Sequence, residues 1–215
     1  MRDKVLLHAG SLLGGMVHNL NTPLMWVMGR AQLMEARNEG LERFLQAGEE
    51  ELAKFKAKNA KDIGSISEGA DRIDQILKAV GYKIQMAEEG SVSLELRDYL
   101  KNETAFLMSD MRFKHETKTE FAFENSPSVY ARVDYNALSW ALVSLINLIL
   151  DKTEKGRSLV IGLVDGAITV ACPECVGADA LAVQAALAGL VPELADCTID
   201  NASGLKVSIR LKDAK

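Results

Sequence analysis

The chain has 215 residues, 48% hydrophobic and 26% charged, with a net charge of −5 at neutral pH and three cysteines. That is enough apolar material for one large or two small domains, too few cysteines for a disulfide scaffold, and the wrong sign of charge for a nucleic-acid partner. No apolar run approaches the ~20 residues of a membrane span and the start lacks a signal-peptide layout, so a cytoplasmic protein without direct membrane insertion is expected.

Residues 3 to about 37 read as one helix. Ala9, Leu12, Met16, Leu20, Leu24, Val27, Ala31 and Met34 are spaced by threes and fours and make one apolar face. Asn38-Glu39-Gly40 reads as a turn, with glycine ending the helix. A longer helix follows to about residue 87. Its stripe is Leu41, Leu45, Gly48, Leu52 and Phe55, then Ile63, Ile66, Ala70, Ile73, Leu77, Val80 and Ile84. From Ile63 the steps alternate three and four, a heptad seam. Asn59 falls on the stripe between Phe55 and Ile63, as a local break in packing or as a position facing water. Two such helices leave apolar surface uncovered. Pairing two hairpins into a four-helix bundle would cover it, so a homodimer is expected. The alternative is that the second half of the chain covers the surplus.

The pattern changes at Glu88-Glu89-Gly90, which places domains at residues 1–88 and 93–215. Ser93 is a candidate cap for a helix to about Phe113. Thr117 to Phe123 alternates as an edge or half-buried strand, and Val129 to Val133 is a second. Asp134 then caps an apolar helix to about Leu150. Asp165-Gly166 between two β-runs is a strong hairpin signal. Residues 178–190 read as a small alanine-rich helix, and Leu205 to Leu211 as the strand that closes the sheet. The fold class is α+β: an N-terminal antiparallel helical hairpin forming a dimeric four-helix bundle, then a two-layer α/β sandwich.

His18 lies two residues from both Met16 and Leu20, about 200° around the helix from the apolar face. It should face solvent, with Thr22 one turn on along the same face. Gly14 and Gly15 lie one turn back. Each costs about 1 kcal/mol relative to alanine in a helix interior, which calls for a reason such as close approach of a partner. Pro23 supplies no N–H to the carbonyl four residues back and clashes with it, so a kink is expected beside the histidine. An imidazole near neutral pH is partly unprotonated, and its free nitrogen can attack a phosphorus centre.

Val17-His18-Asn19-Leu20-Asn21-Thr22-Pro23-Leu24 resembles the H-box of histidine kinases: His, an acidic residue, any residue, Asn, Arg or Thr, any residue, Pro, Leu. The hairpin resembles their dimerisation and phosphotransfer domain, with Ile66 to Ile84 like its second helix. Leu94 to Phe113 is similar to the helix that opens their ATP-binding domain, and Val133-Asp134-Tyr135-Asn136-Ala137-Leu138 resembles the lead-in to its N-box helix. The resemblance covers most of the chain. It implies that His18 exchanges phosphoryl groups with a response-regulator aspartate, and that receiver domains are partners.

Several family positions are changed. The residue after the acceptor is usually Glu or Asp, the general base when ATP is the donor. Here it is Asn19, whose amide has no useful proton affinity. Thr22 keeps the position where relatives that dephosphorylate their partner carry Thr or Asn. Counting from Asp134, the N-box asparagines fall on Ser144 and Leu148, with Asn147 one residue early. The Asp-x-Gly-x-Gly box is replaced by Cys172-Pro173-Glu174-Cys175-Val176-Gly177, and the alanine-rich helix stands where a phosphate-cradling lid belongs. Only Ser203 to Leu211 still resembles the closing strand. A zinc or redox reading of Cys172 and Cys175 exists; zinc would need Cys197 and His115 to converge on them. His8 and His115 have no motif around them.

Phosphoryl transfer from ATP depends on metal and phosphate positioning. The sequence is therefore read as a histidine phosphotransferase, relaying phosphoryl groups through His18 with Thr22 and Asn19 beside it and no bound cofactor or metal. The alternatives are the cytoplasmic portion of a sensor kinase with a diverged ATP site, which would use ATP and Mg2+, or a scaffold that docks a regulator without phosphotransfer.

Overall fold

The computed structural model describes residues 1–46, 48–152, 156–177, 179–190, 195–212 and 214. It contains two compact units, residues 14–78 and residues 1–13 with 79–215. Val5, Ala79 and Ala87, from both ends of the hairpin sequence, are buried at 2% exposure or less. Val5 and Ala87 belong to the same apolar core as the strands. Among the described residues no helix is long and apolar enough to cross a membrane.

The first expected helix is two, α1 (Arg2–Ser11) and α2 (Leu13–Glu39). The interruption at Leu12, whose N–H donates to the Ala9 carbonyl at 3.2 Å, sits among Gly10, Gly14 and Gly15, poor helix formers. The second expected helix is also two, α3 (Leu41–Gln46) and α4 (Glu49–Glu89). Between them Gly48 takes φ +98°, a backbone conformation that side chains disfavour. Residue 47 lies outside the described residues.

Residues 14–78 form the hairpin of α2, α3 and most of α4. The inward face of α2 runs through Met16, Leu20, Pro23, Val27, Arg30, Met34 and Arg37, all buried or half-buried. Leu24 and Ala31, expected on this face, are exposed. On α4 the inward seam within this unit is Phe55, Asn59, Asp62, Ile66, Gly69, Ile73 and Ile76. Its steps are four, three, four, three, four, three: an unbroken heptad that runs through Asn59. Ile63, Ala70 and Leu77, expected inside, are exposed. The expected seam was displaced because it counted only apolar residues, and the true one includes charges. Asp62 accepts from Arg30 Nη1 at 3.0 Å and from Arg37 Nη2 at 2.5 Å, and Arg37 Nη1 donates to Asn59 Oδ1 at 2.5 Å. The Asp62 side chain is only 4% exposed. Asn59 is thus neither a gap nor a water-facing position but part of a polar layer between the helices.

The second unit begins with β1 (Ser91–Glu95), so Ser93 lies in a strand rather than capping a helix. Glu95 caps α5 (Leu96–Leu107), its carboxylate accepting from the Asp98 N–H at 2.7 Å. The expected helix to Phe113 ends early. Asp110 caps a separate α6 (Met111–Glu116), accepting from the Arg112 N–H at 2.8 Å. β2 (Thr117–Ala122) and β3 (Tyr130–Asp134) follow, then α7 (Tyr135–Lys152), with Asp134 accepting from the Ala137 N–H at 3.1 Å. β4 (Arg157–Val164) and β5 (Ala167–Cys172) flank Asp165-Gly166, both at positive φ (49° and 75°), as a two-residue hairpin turn requires. α8 (Ala180–Leu187) is capped by Asp179; residue 178 of the expected helix lies outside the described residues. β6 (Ala195–Asp200), which the sequence reading missed, and β7 (Leu205–Leu211) complete the unit.

The five-stranded sheet has the order β2-β4-β5-β7-β6, with β2 parallel to β4 and the other pairs antiparallel. β6, not β7, forms that edge. β1 pairs with β3 in a separate two-stranded sheet. Leu205, Val207, Ile209 and Leu211 of β7 are buried while Lys206 and Arg210 are exposed, the period of two that gives a sheet one apolar face. α5, α7 and α8 share the core with that face through residues such as Leu100, Leu142, Ile146 and Val183.

One polar cluster lies inside this core. Lys83, from the last turns of α4, donates to Glu103 Oε2 at 2.7 Å and to Ser139 Oγ at 2.8 Å. Both charged side chains are at most 2% exposed. Ser139 also donates to Glu103 Oε2, and the Tyr135 hydroxyl donates to Glu103 Oε1. The Lys83 ammonium lies 4.7 Å from the centre of the Phe106 ring. The cluster fastens α4 to α5 and α7.

Removing one charge would leave the other buried and uncompensated. Lys83→Met should therefore lower stability by about 3–5 kcal/mol in urea unfolding, and the double change Lys83→Met with Glu103→Leu by clearly less. At the other cluster, the Arg37 hydrogen bond holds the Asp62 carboxyl below the ordinary carboxylate value, despite opposition from burial. A depressed folded value means that the stabilisation is complete above the unfolded value near pH ~4 and is lost as pH falls through the folded one. Melting curves from pH 7 to 2 should show that loss, and Asp62→Asn should lower the midpoint at pH 7 while flattening its acid dependence.

Candidate functional site

The site is built on the second turn of α2. His18 is exposed, opposite the inward face that carries Met16 and Leu20. Thr22 is exposed one turn further on, and its hydroxyl donates to the His18 carbonyl at 3.4 Å. The structure thus places His18 and Thr22 on one solvent-facing strip. Asn19 is half-buried beside them. Gly14, one turn back, is exposed, and a Cβ added there would meet nothing within 4 Å. No packing inside the chain demands a glycine at that point.

Pro23 lies inside α2 and is buried on the seam. Opposite it on α4 is Gly69, also buried. A Cβ there would lie 3.1 Å from the Pro23 carbonyl oxygen and 2.8 Å from Val27 Cγ2. One turn further along, the Arg72 guanidinium stacks 5.2 Å from the Trp26 ring centre. The two helices are therefore in close contact just after the histidine-bearing turn.

The positions expected to bind nucleotide hold other chemistry. Ser144, Asn147 and Leu148 are half-buried on α7, and Leu148 packs against the apolar core. α8 packs on α7, with Val183 and Leu187 buried in the same core. Cys172 and Cys175 are joined in a disulfide with Cα atoms 5.4 Å apart. Glu174 between them ties the turn to β4. Its carbonyl accepts from Arg157 Nη1 at 2.7 Å and its carboxylate from the Ser158 N–H at 3.2 Å. Gly204 packs directly on Pro173. Cys197 is a free, exposed thiol, and among the described residues no group of three or more His, Cys, Asp or Glu comes together to hold a metal.

His8, given no role from sequence, lies half-buried on α1 with its ring 6.2 Å from Phe106. Burial, then the Lys83 charge, holds its imidazole below the usual value. The sequence reading also missed Asp62, Lys83, Glu103 and Gly69. The heptad that runs 55-59-62-66-69-73-76-80-83-87 was a usable signal, had polar seam positions been admitted.

No family model and no curated protein matches the chain. Among solved structures it is similar to the cytoplasmic segment of the histidine kinase QseC, at 14% identity over 57% of this chain and 78% of that one, with a TM-score of 0.45. It is also similar to the Acinetobacter baumannii histidine kinase AdeS, at 12% identity over 91% and 98% of the two chains, with a TM-score of 0.42. A third similar structure is the histidine kinase ThkA in complex with the response regulator protein TrrA, at 12% identity over 99% and 64%, with a TM-score of 0.39.

Proposed function

We propose that this chain is a histidine phosphotransferase of a two-component phosphorelay, carrying phosphoryl groups between response-regulator aspartates through His18. The observation that carries the reading is the exposed pair His18 and Thr22 on one strip of α2, ahead of a buried Pro23, in the pattern that resembles the H-box. An unprotonated imidazole nitrogen attacks the phosphorus of an aspartyl phosphate. The new P–N bond forms as the P–O bond to the aspartyl carboxyl breaks, and the carboxylate departs with the bonding electrons. The reverse step loads the aspartate of a second regulator. Neither step is written with a general base at position 19, because the imidazole attacks with a ring nitrogen that carries no proton. Asn19 suits that chemistry and does not suit ATP as donor. Gly14, unconstrained by its own chain, leaves room for a receiver domain to approach the histidine.

In this reading the hairpin, residues 1–88 by sequence pattern, serves dimerisation and phosphotransfer, and residues 93–215 form an ATP-binding domain that has lost its nucleotide chemistry. Ser144 and Leu148 stand where the resemblance would place the N-box asparagines, and the apolar α8 packs on the helix that carries them. No ATP or Mg2+ is called for, and the working compartment is the cytoplasm. The second copy of the chain covers the outward row on the hairpin that includes Leu24, Met28, Ile63 and Leu77, each at least 44% exposed in the single chain.

Labelled ATP alone should leave the protein unlabelled. A regulator carrying labelled aspartyl phosphate should pass label to the wild type and none to His18→Gln. Label from ATP on His18 would convert the reading to a sensor kinase, and failure to accept label from any regulator would leave a docking scaffold. Light scattering should return twice the mass of one chain at micromolar concentration. Leu77→Glu, on the outward row, should shift that mass toward the monomer without lowering helical content.

A further inference from the structure

We infer that Gly69 is a positioning residue for His18: its missing side chain lets α4 seat the Pro23 carbonyl and so sets the direction of the histidine-bearing turn of α2. The inference rests on the phosphotransfer reading above. A proline inside a helix removes one rung of the hydrogen-bond ladder and leaves the helix able to bend. The size and direction of the bend then depend on what the proline turn rests against. Here Pro23 is buried on the seam against Gly69.

Gly69 has no conformational reason to be glycine, because it sits in the interior of α4 without a positive φ. A helix-interior glycine costs about 1 kcal/mol relative to alanine. At Gly64 and Gly81 of the same helix an added Cβ would meet nothing within 4 Å. At Gly69 it would meet Val27 Cγ2 at 2.8 Å and the Pro23 carbonyl oxygen at 3.1 Å. The first neighbour is a methyl of a β-branched side chain, which is stiff in a helix but can be removed by mutation. The second is backbone, and it yields only if α2 shifts against α4 at this turn. Thr22 precedes that carbonyl directly and His18 lies just over one turn before it, so the shift falls on the reacting strip. Phosphoryl transfer between two proteins needs the reacting atoms about 3–3.5 Å apart and in line, and small misplacements are costly.

The test compares wild type with Gly69→Ala, Gly69→Ala/Val27→Ala and the control Gly64→Ala. Transfer from a phosphorylated regulator is followed across regulator concentration, and the His18 imidazole is followed by proton–nitrogen NMR in the unphosphorylated protein. Gly69→Ala is expected to lower the saturating transfer rate by about tenfold or more. The half-saturating regulator concentration should change less than about twofold, and the His18 resonances should move. The double variant, relieved of the side-chain clash, should fold as well as wild type yet keep the rate defect and the shifted resonances. Gly64→Ala should match wild type in both. An unmoved His18 resonance with a wild-type rate in Gly69→Ala would overturn the inference, as would full restoration by Val27→Ala. If wild type accepts no phosphoryl group from any regulator, the relay reading fails instead, and the imidazole resonances still decide whether Gly69 positions His18.

Discussion

Each compact unit buries one charged side chain of α4, and that burial fixes the register of the helix against its partners. Asp62 and Lys83 lie three heptads apart on the inward face of α4, one in each compact unit. Neither can be buried without a partner, since the desolvation of a lone charge exceeds what packing returns. Asp62 is met by Arg30 and Arg37 from α2, and Lys83 by Glu103 and Ser139 from α5 and α7. Such pairs contribute little net stability compared with apolar residues of the same volume. What they impose is register. A slip of α4 by one residue would strand both charges at once, whereas an apolar seam would tolerate it at lower cost.

Register matters because the strip proposed to carry phosphotransfer, His18 and Thr22, is defined by it. His18 and Thr22 are exposed only because Met16, Leu20, Pro23 and Val27 are turned inward, and that face is matched to α4 at Gly69 and at the arginine layer. The proline that loosens α2 near the histidine is itself buried against a glycine, so the loosened turn is held by contact rather than by its own hydrogen bonds. The α/β unit likewise absorbs polar side chains such as Glu174 and Ser139 into its hydrogen bonds, and packs apolar residues such as Leu148 and those of α8 against its core.

How far the sequence could be read depended on the kind of signal. Elements stated by local chemistry were legible: the Asp165-Gly166 hairpin, the Asp134 cap, the alternating strand β7, and the outward direction of His18, which follows from helical period alone. Breaks at Leu12 and Gly48 were missed because the apolar spacing carries on across them. β1 was missed because its partner β3 lies far along the chain, and β6 because its Asp-Cys-Thr-Ile-Asp run lacks strong apolar alternation, although it pairs with the neighbouring β7. The disulfide partner of Cys172 lay three residues away, yet spacing could not distinguish it from a metal ligand.

The seam of α4 shows where the boundary falls. The sequence by itself determined that α4 is a long heptad helix and that His18 faces away from its own helix's apolar side, because periodicity is a property of one helix. Two seams one residue apart were compatible with that pattern, and the more apolar one, through Ile63, Ala70 and Leu77, had the stronger claim. Only the tertiary structure decided for the seam through Asp62, Gly69 and Lys83. A carboxylate becomes a core residue only when arginines from another helix reach it, and a glycine becomes a contact only when a neighbouring backbone arrives. Those are facts about pairs of distant residues, and a one-dimensional pattern does not contain them.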